Sequence, residues 1–186
     1  MKTKANILIL HGIGGYAGIH WQKWLKEELE QKGYKVLMPT LPNADHPDRK
    51  KWKSIVKQNI SQVELKNLII VGHSLSIPTA LDVIEELNNA IKALFCVSGF
   101  CSDYGVELNS YFLKEKNINF NKVKENVNKS LVFYADNDPY VPQEKLYELA
   151  EKLETKPIVI ANGGHLNTDA GFTTFPQLLK EIEGVM

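Results

Sequence analysis

Apolar residues fall into short continuous runs separated by longer stretches in which they return every three or four positions. The runs lie at Asn6–Leu10, Lys35–Pro39, Asn67–Val71, Ala93–Val97, Ser130–Tyr134 and Pro157–Ala161. Most are apolar throughout rather than alternating, as strands of a parallel sheet must be when helices cover both faces. Between them, His20–Lys32 sets Trp21, Trp24, Leu25 and Leu29 on one helical face and ends at Gly33. Helical spacing recurs at Asp48–Gln62, Ser74–Asn88, Gln143–Leu153 and Phe172–Glu183. Strand and helix in alternation predict a three-layer α/β/α sandwich around a mostly parallel, doubly wound sheet of about six strands.

The stretch 99–129 breaks the rhythm, being polar and rich in asparagine and lysine, with an apolar cluster at Tyr111, Phe112 and Leu113. It reads equally as a lid over the sheet's carboxyl edge and as a long connection. Without repeats or linker-like tracts, the 186 residues read as one domain, 1–186, large enough to enclose a core unaided.

Composition narrows the function classes. The chain is 44% hydrophobic and 24% charged, an ordinary globular balance. Its 22 basic and 22 acidic side chains leave no net charge, which argues against nucleic acid as a partner. The one basic cluster, Arg49–Lys53, reads as the start of a solvated helix. Cys96 and Cys101 are too few for a disulfide framework or a four-cysteine zinc site, and read as reduced and structural. No apolar run is long enough to span a membrane, and the amino-terminal run is too short for a secretory signal, so a cytoplasmic protein is expected.

Four positions carry chemistry. An apolar run leads into Gly72-His73-Ser74-Leu75-Ser76 and then into a helical pattern. That arrangement fits a nucleophile elbow, which holds a serine hydroxyl exposed on a tight strand-to-helix turn where a base can reach it. Ser76 departs from the glycine usual two places after the nucleophile. After the first run comes His11-Gly12-Ile13-Gly14-Gly15, whose open backbone suits an oxyanion hole built from the N–H groups of Ile13 and Leu75. A dinucleotide turn is the competing reading, since Gly12, Gly14 and Ala17 fit its looser fingerprint. Met38-Pro39-Thr40 supplies no acid for a ribose, which argues against it. His11 reads first as a brace for this loop; with Trp21 it is also a candidate substrate contact, although core packing competes for Trp21 and Trp24.

The third position is Asp136-Asn137-Asp138-Pro139, where either acid could orient a catalytic histidine. The fourth is His165 after Gly163-Gly164; His20 and His46 lack a strand-end setting and His73 sits inside the elbow, so each makes a poorer base. Serine, acid and histidine then follow one another in the α/β-hydrolase order, each just beyond a predicted strand.

On the residues His11–Gly15, His20-Trp21-Gln22-Lys23-Trp24-Leu25, Gly72–Ser76, Asp138-Pro139-Tyr140-Val141-Pro142 and Gly164-His165, the chain resembles the small serine-hydrolase family of retinoblastoma-binding protein nine. The resemblance implies a Ser74–Asp138–His165 triad, with Asp138 preferred to Asp136 for its Asp-Pro-aromatic-aliphatic-Pro setting. It also implies a compact fold without a leading hairpin. The reaction expected is carboxylesterase-like cleavage of a small acyl substrate (ester, thioester or amide), needing no cofactor or metal. A binding module that keeps the fold without catalysis, and acyl transfer to an acceptor other than water, are the alternatives.

Overall fold

The computed structural model describes residues 5–186. The apolar runs become strands β1 (Asn6–Leu10), β2 (Lys35–Leu37), β3 (Leu68–His73), β4 (Ala93–Val97), β5 (Ser130–Ala135) and β6 (Ile158–Ile160). They form one sheet in the order β2-β1-β3-β4-β5-β6, every pair parallel. The flanking helices are α1 (Gln22–Gln31), α2 (Arg49–Ile60), α3 (Ser76–Ile84), α4 (Glu107–Lys114), α5 (Phe120–Glu125), α6 (Gln143–Lys152) and α7 (Pro176–Glu183). This is an α/β-hydrolase fold.

Successive residues of a strand face opposite sides, so the central strands β1, β3, β4 and β5 feed two cores, whereas edge strand β6 packs Ile158 and Ile160 on one face and leaves Val159 exposed on the other. Leu8, Leu10, Ile70, Leu94 and Val132 pack with Trp52 and Val56 of α2, Ile77 of α3 and Leu146 of α6. Ile7, Ile9, Ile69, Val71, Phe95 and Phe133 pack instead with Leu25 and Leu29 of α1 and Leu178 and Ile182 of α7. The continuously apolar runs are thus explained by burial on both faces. The register pairs Leu10 with Gly72, Gly72 with Cys96, Val97 with Phe133 and Ala135 with Ile160. The carboxyl ends of these strands therefore lie along one edge, and their loops meet there.

Several expected boundaries shift. β2 stops at Leu37, before Pro39, whose ring cannot donate to a ladder. Helix α3 begins at Ser76 rather than Ser74 because Ser74 belongs to the turn. The stretch 99–129 contains α4 and α5, too short to stand out by periodicity.

Arg49 corrects the reading of the basic cluster. It is not solvated: its side chain is 3% exposed, and Asp82 on α3 is 1% exposed. Arg49 Nε and Nη2 donate to the Asp82 carboxylate at 2.7 and 3.0 Å. Nη1 donates to the carbonyls of Phe112 and Leu113 at 2.8 and 3.2 Å, joining α2 and α3 to the last turn of α4. A cation there also complements the α4 dipole. Among the described residues, no helix is long and apolar enough to cross a membrane.

Candidate active site

Ser74 follows β3 directly and takes a left-handed backbone, φ 56°. A non-glycine residue holds that conformation only when its surroundings over-determine it. Here Ser74 N–H donates to Val97 O at 2.9 Å, and two glycines clear the space around the turn. A Cβ on Gly72 would lie 2.5 Å from Ile77 Cδ1, and one on Gly12 would lie 2.9 Å from Ser74 Cβ and 3.1 Å from His73 O. The glycine loop after β1 thus rests directly on the serine. Ser76, where glycine is usual, is fully buried. Its hydroxyl accepts from His73 N–H at 3.0 Å and lies 2.9 Å from His73 O and 3.2 Å from Leu10 O. The extra oxygen therefore ties the elbow to the end of β1, where the glycine loop begins.

The β5 loop and the β6 loop are clipped together by three consecutive side chains. Asp136 accepts from Asn162 N–H at 2.8 Å, Asn137 accepts from Gly164 N–H at 2.8 Å, and His165 Nδ1 donates to Asp138 Oδ2 at 2.7 Å. Asp138 Oδ1 takes the N–H groups of Tyr140 and Val141 at 2.9 and 3.1 Å. The geometry thus separates the two acids: Asp136 binds backbone, and Asp138 binds the imidazole. The histidine loop is itself contorted, with left-handed residues at Asn162, Gly164 and Leu166.

Two further side chains hold that loop. Trp21 Nε1 donates to Leu166 O at 3.0 Å, and His73 Nε2 donates to His165 O at 3.0 Å. Burial, and then the neighbouring His165, push His73 well below the ordinary imidazole range, so it stays neutral and can act only as a fixed donor there. His11 Nδ1 donates to Gly12 O and its Nε2 accepts from Leu41 N–H, both at 2.8 Å. His11 and Trp21 are fully buried and neither lines the cavity described next. They brace the glycine loop and the histidine loop, respectively, and their candidacy as substrate contacts ends there.

Ser74, His165, Gly12 and Ile13 open onto a cavity of about 460 Å³. Phe100, Tyr104, Val106, Leu108 and Asn109 form its far wall, and Tyr140 and Val141 flank it. Most of these come from 99–129, the stretch whose sequence reads equally as a lid and as a long connection; Tyr104 and Asn109 are joined by a 2.8 Å hydrogen bond from the amide to the phenol oxygen. Among the described residues, the N–H groups of Ile13 and Leu75 meet no acceptor. Leu75 is fully buried and Ile13 half-buried, and a buried N–H such as that of Leu75 is rarely left unpaired without a reason. Cys96 and Cys101 are free thiols. Burial raises both, Cys101 to about 12, so neither offers a thiolate near neutral pH. Among the described residues, no cluster of three His, Cys, Asp or Glu side chains could hold a metal.

A family model described as serine hydrolase matches residues 7–183. The serine hydrolase RBBP9 of Rattus norvegicus is 27% identical over 188 aligned positions, covering 99% of this chain and 96% of its own. YdeN of Bacillus subtilis is 26% identical over 173 aligned positions, covering 91% of this chain and 90% of its own. The crystal structure of the ydeN product superposes with a TM-score of 0.90 over 98% of both chains at 24% identity.

Proposed function

Because the chain belongs to the serine hydrolase family of α/β-hydrolases, we propose that it cleaves an ester, thioester or amide of a small substrate through an acyl-enzyme on Ser74. The observation that carries this reading is the 2.7 Å pair between His165 Nδ1 and Asp138 Oδ2 at the cavity that also receives Ser74. With Nδ1 committed to the carboxylate, the Nε2 lone pair is left to take the Ser74 proton as the hydroxyl attacks the carbonyl carbon. Asp138 stabilises the imidazolium that results. The carbonyl oxygen becomes an oxyanion facing the free N–H groups of Ile13 and Leu75.

As the tetrahedral intermediate collapses, His165 returns the proton to the leaving oxygen, nitrogen or sulfur, and the acyl group stays on Ser74. Water, deprotonated by the same imidazole, attacks the acyl carbon, and Ser74 leaves as the free hydroxyl. The apolar walls at Phe100, Val106, Leu108 and Val141 suit a carboxylesterase-like substrate with an apolar acyl part. Ser74→Ala tests the assignment: labelling by a fluorophosphonate probe and hydrolysis of a short p-nitrophenyl ester should both vanish. Full labelling of that variant would overturn it.

A further inference from the structure

His20 has no part in the reaction just described, yet it lines the same cavity. Its backbone is left-handed, φ 59°, on a half-buried residue in the approach to α1. Thr168 fixes the ring. Thr168 N–H lies 3.1 Å from His20 Nδ1, and the Thr168 hydroxyl lies 2.9 Å from the same atom. A backbone N–H can only donate, so Nδ1 is the acceptor and the ring proton resides on Nε2. Among the described residues, no acceptor meets that Nε2–H.

The place of this donor decides what it can touch. The His20 ring stands edge-on to His73 at 5.3 Å, and His73 stands edge-on to His165 at 5.0 Å. His20 therefore flanks the side of the cavity that holds His165. In an acyl transfer, the leaving group must lie beside the histidine that protonates it. We infer that His20 is a specificity-determining residue whose Nε2–H donates to an acceptor atom in the leaving-group half of the substrate. The substrates favoured are those whose alcohol, amine or thiol part carries an ether, hydroxyl or carbonyl oxygen close to the scissile bond. This rests on the Ser74 hydrolase reading above. Burial and the nearby His165 lower the affinity of His20 for a second proton, which keeps it a neutral donor rather than a competing cation.

The test compares the 2-methoxyethyl and n-butyl esters of butanoic acid, which share the acyl group and the chain length but differ by one oxygen. Wild-type protein should favour the methoxyethyl ester in kcat/KM by about fivefold, the worth of one ordinary hydrogen bond. His20→Asn keeps an acceptor for Thr168 N–H and tolerates a left-handed backbone, but its amide does not reach where Nε2 stood. The preference should collapse to parity in that variant, and His20→Gln, whose amide nitrogen reaches farther, should restore part of it. An unchanged ratio in His20→Asn, or no preference in the wild type, overturns the assignment. A ratio lost in His20→Gln and kept in His20→Asn also overturns it, by showing that His20 only braces Thr168. If wild-type protein takes no fluorophosphonate label and cleaves neither ester, the hydrolase reading fails, and this inference fails with it.

Discussion

The two walls of the cavity are built by different means. On the Ser74 and His165 side, short-range contacts place every group: the elbow is pinned by the Ser76 hydroxyl, and the histidine loop by the side chains of Asp136, Asn137 and Asp138. On the α4 side, Val106 and Leu108 stand 40% and 54% exposed at the start of the helix, while its far end hangs from Arg49. The first wall is rigid where chemistry requires fixed geometry. The second is held through the buried Arg49–Asp82 pair together with Phe112 packed on Trp52 and Tyr111 bonded to Pro47 O, all away from the catalytic loops, so its position and the machinery's position can be perturbed separately.

The largest separation should come from the two acids on the rigid side. Asp138→Asn preserves size but cannot hold His165 in the required tautomer and charge state, and kcat should drop by roughly 10⁴-fold. Asp136→Ala removes only the acceptor of the Asn162 N–H and should cost about 1 kcal/mol of stability in denaturant unfolding, with kcat falling far less. Equal losses of kcat from the two variants would show that the clip acts as one unit.

Next in size is the attachment of the other wall. Arg49→Met leaves Asp82 charged, buried and deprived of its bidentate partner, and should cost about 3–5 kcal/mol. The nearby Lys116 pairs with Asp82 at 3.5 Å, which places the expectation toward the lower end. The double variant Arg49→Met/Asp82→Leu should recover much of that stability, since apolar replacement of a whole buried pair is often neutral. Recovery of stability without recovery of substrate preference would show that the pair positions α4 beyond merely stabilising the fold.

The same contrast marks what the sequence disclosed. Ser74, Asp138 and His165 stood out in the sequence because each follows an apolar run, doubly buried in β3 and β5 but with Val159 exposed in β6, and because glycines precede Ser74 and His165. The preference for Asp138 over Asp136 came from family resemblance, and the geometry supplies its reason in the imidazole contact. The far wall was legible only as a polar stretch that could cover the sheet's carboxyl edge, not as helices or as named lining residues. Helices α4 and α5 gain their stability from tertiary anchors such as Arg49, and a lone arginine among lysines carries no local mark of burial. The braces of Trp21 and His73 were hidden for the same reason, each bonding to a carbonyl far along the chain. Their partners are backbone atoms, which every residue has.

Ser76 offers a finer test of the rigid wall. Ser76→Ala removes the acceptor for His73 N–H in a fully buried site and should cost about 1–2 kcal/mol, read from the shift in urea midpoint. Ser76→Gly restores the usual elbow residue and opens the same gap, adding the backbone freedom of glycine in the first turn of α3. It should be at least as destabilised as the alanine variant; a more stable glycine variant would mean that the hydroxyl crowds the elbow instead of tying it.

The smallest effect is a pH dependence of stability that the braces impose. His73 is buried with its imidazole held below the ordinary value of 6.5, so the folded chain resists a proton that the unfolded chain accepts. Stability from this residue is fully present above 6.5 and is lost as pH falls below it, because there the unfolded state binds more protons. The slope for one such group cannot exceed about 1.4 kcal/mol per pH unit. His11 and His20, also lowered by burial, slope the same way. His73→Gln keeps an N–H able to donate to His165 O but removes the titration. Between pH 7 and pH 5 its melting temperature should therefore fall less steeply than that of the wild type, while the shares of His11 and His20 remain. Parallel melting curves for the two proteins across that range would mean that His73 accepts its proton without leaving its place against the His165 carbonyl.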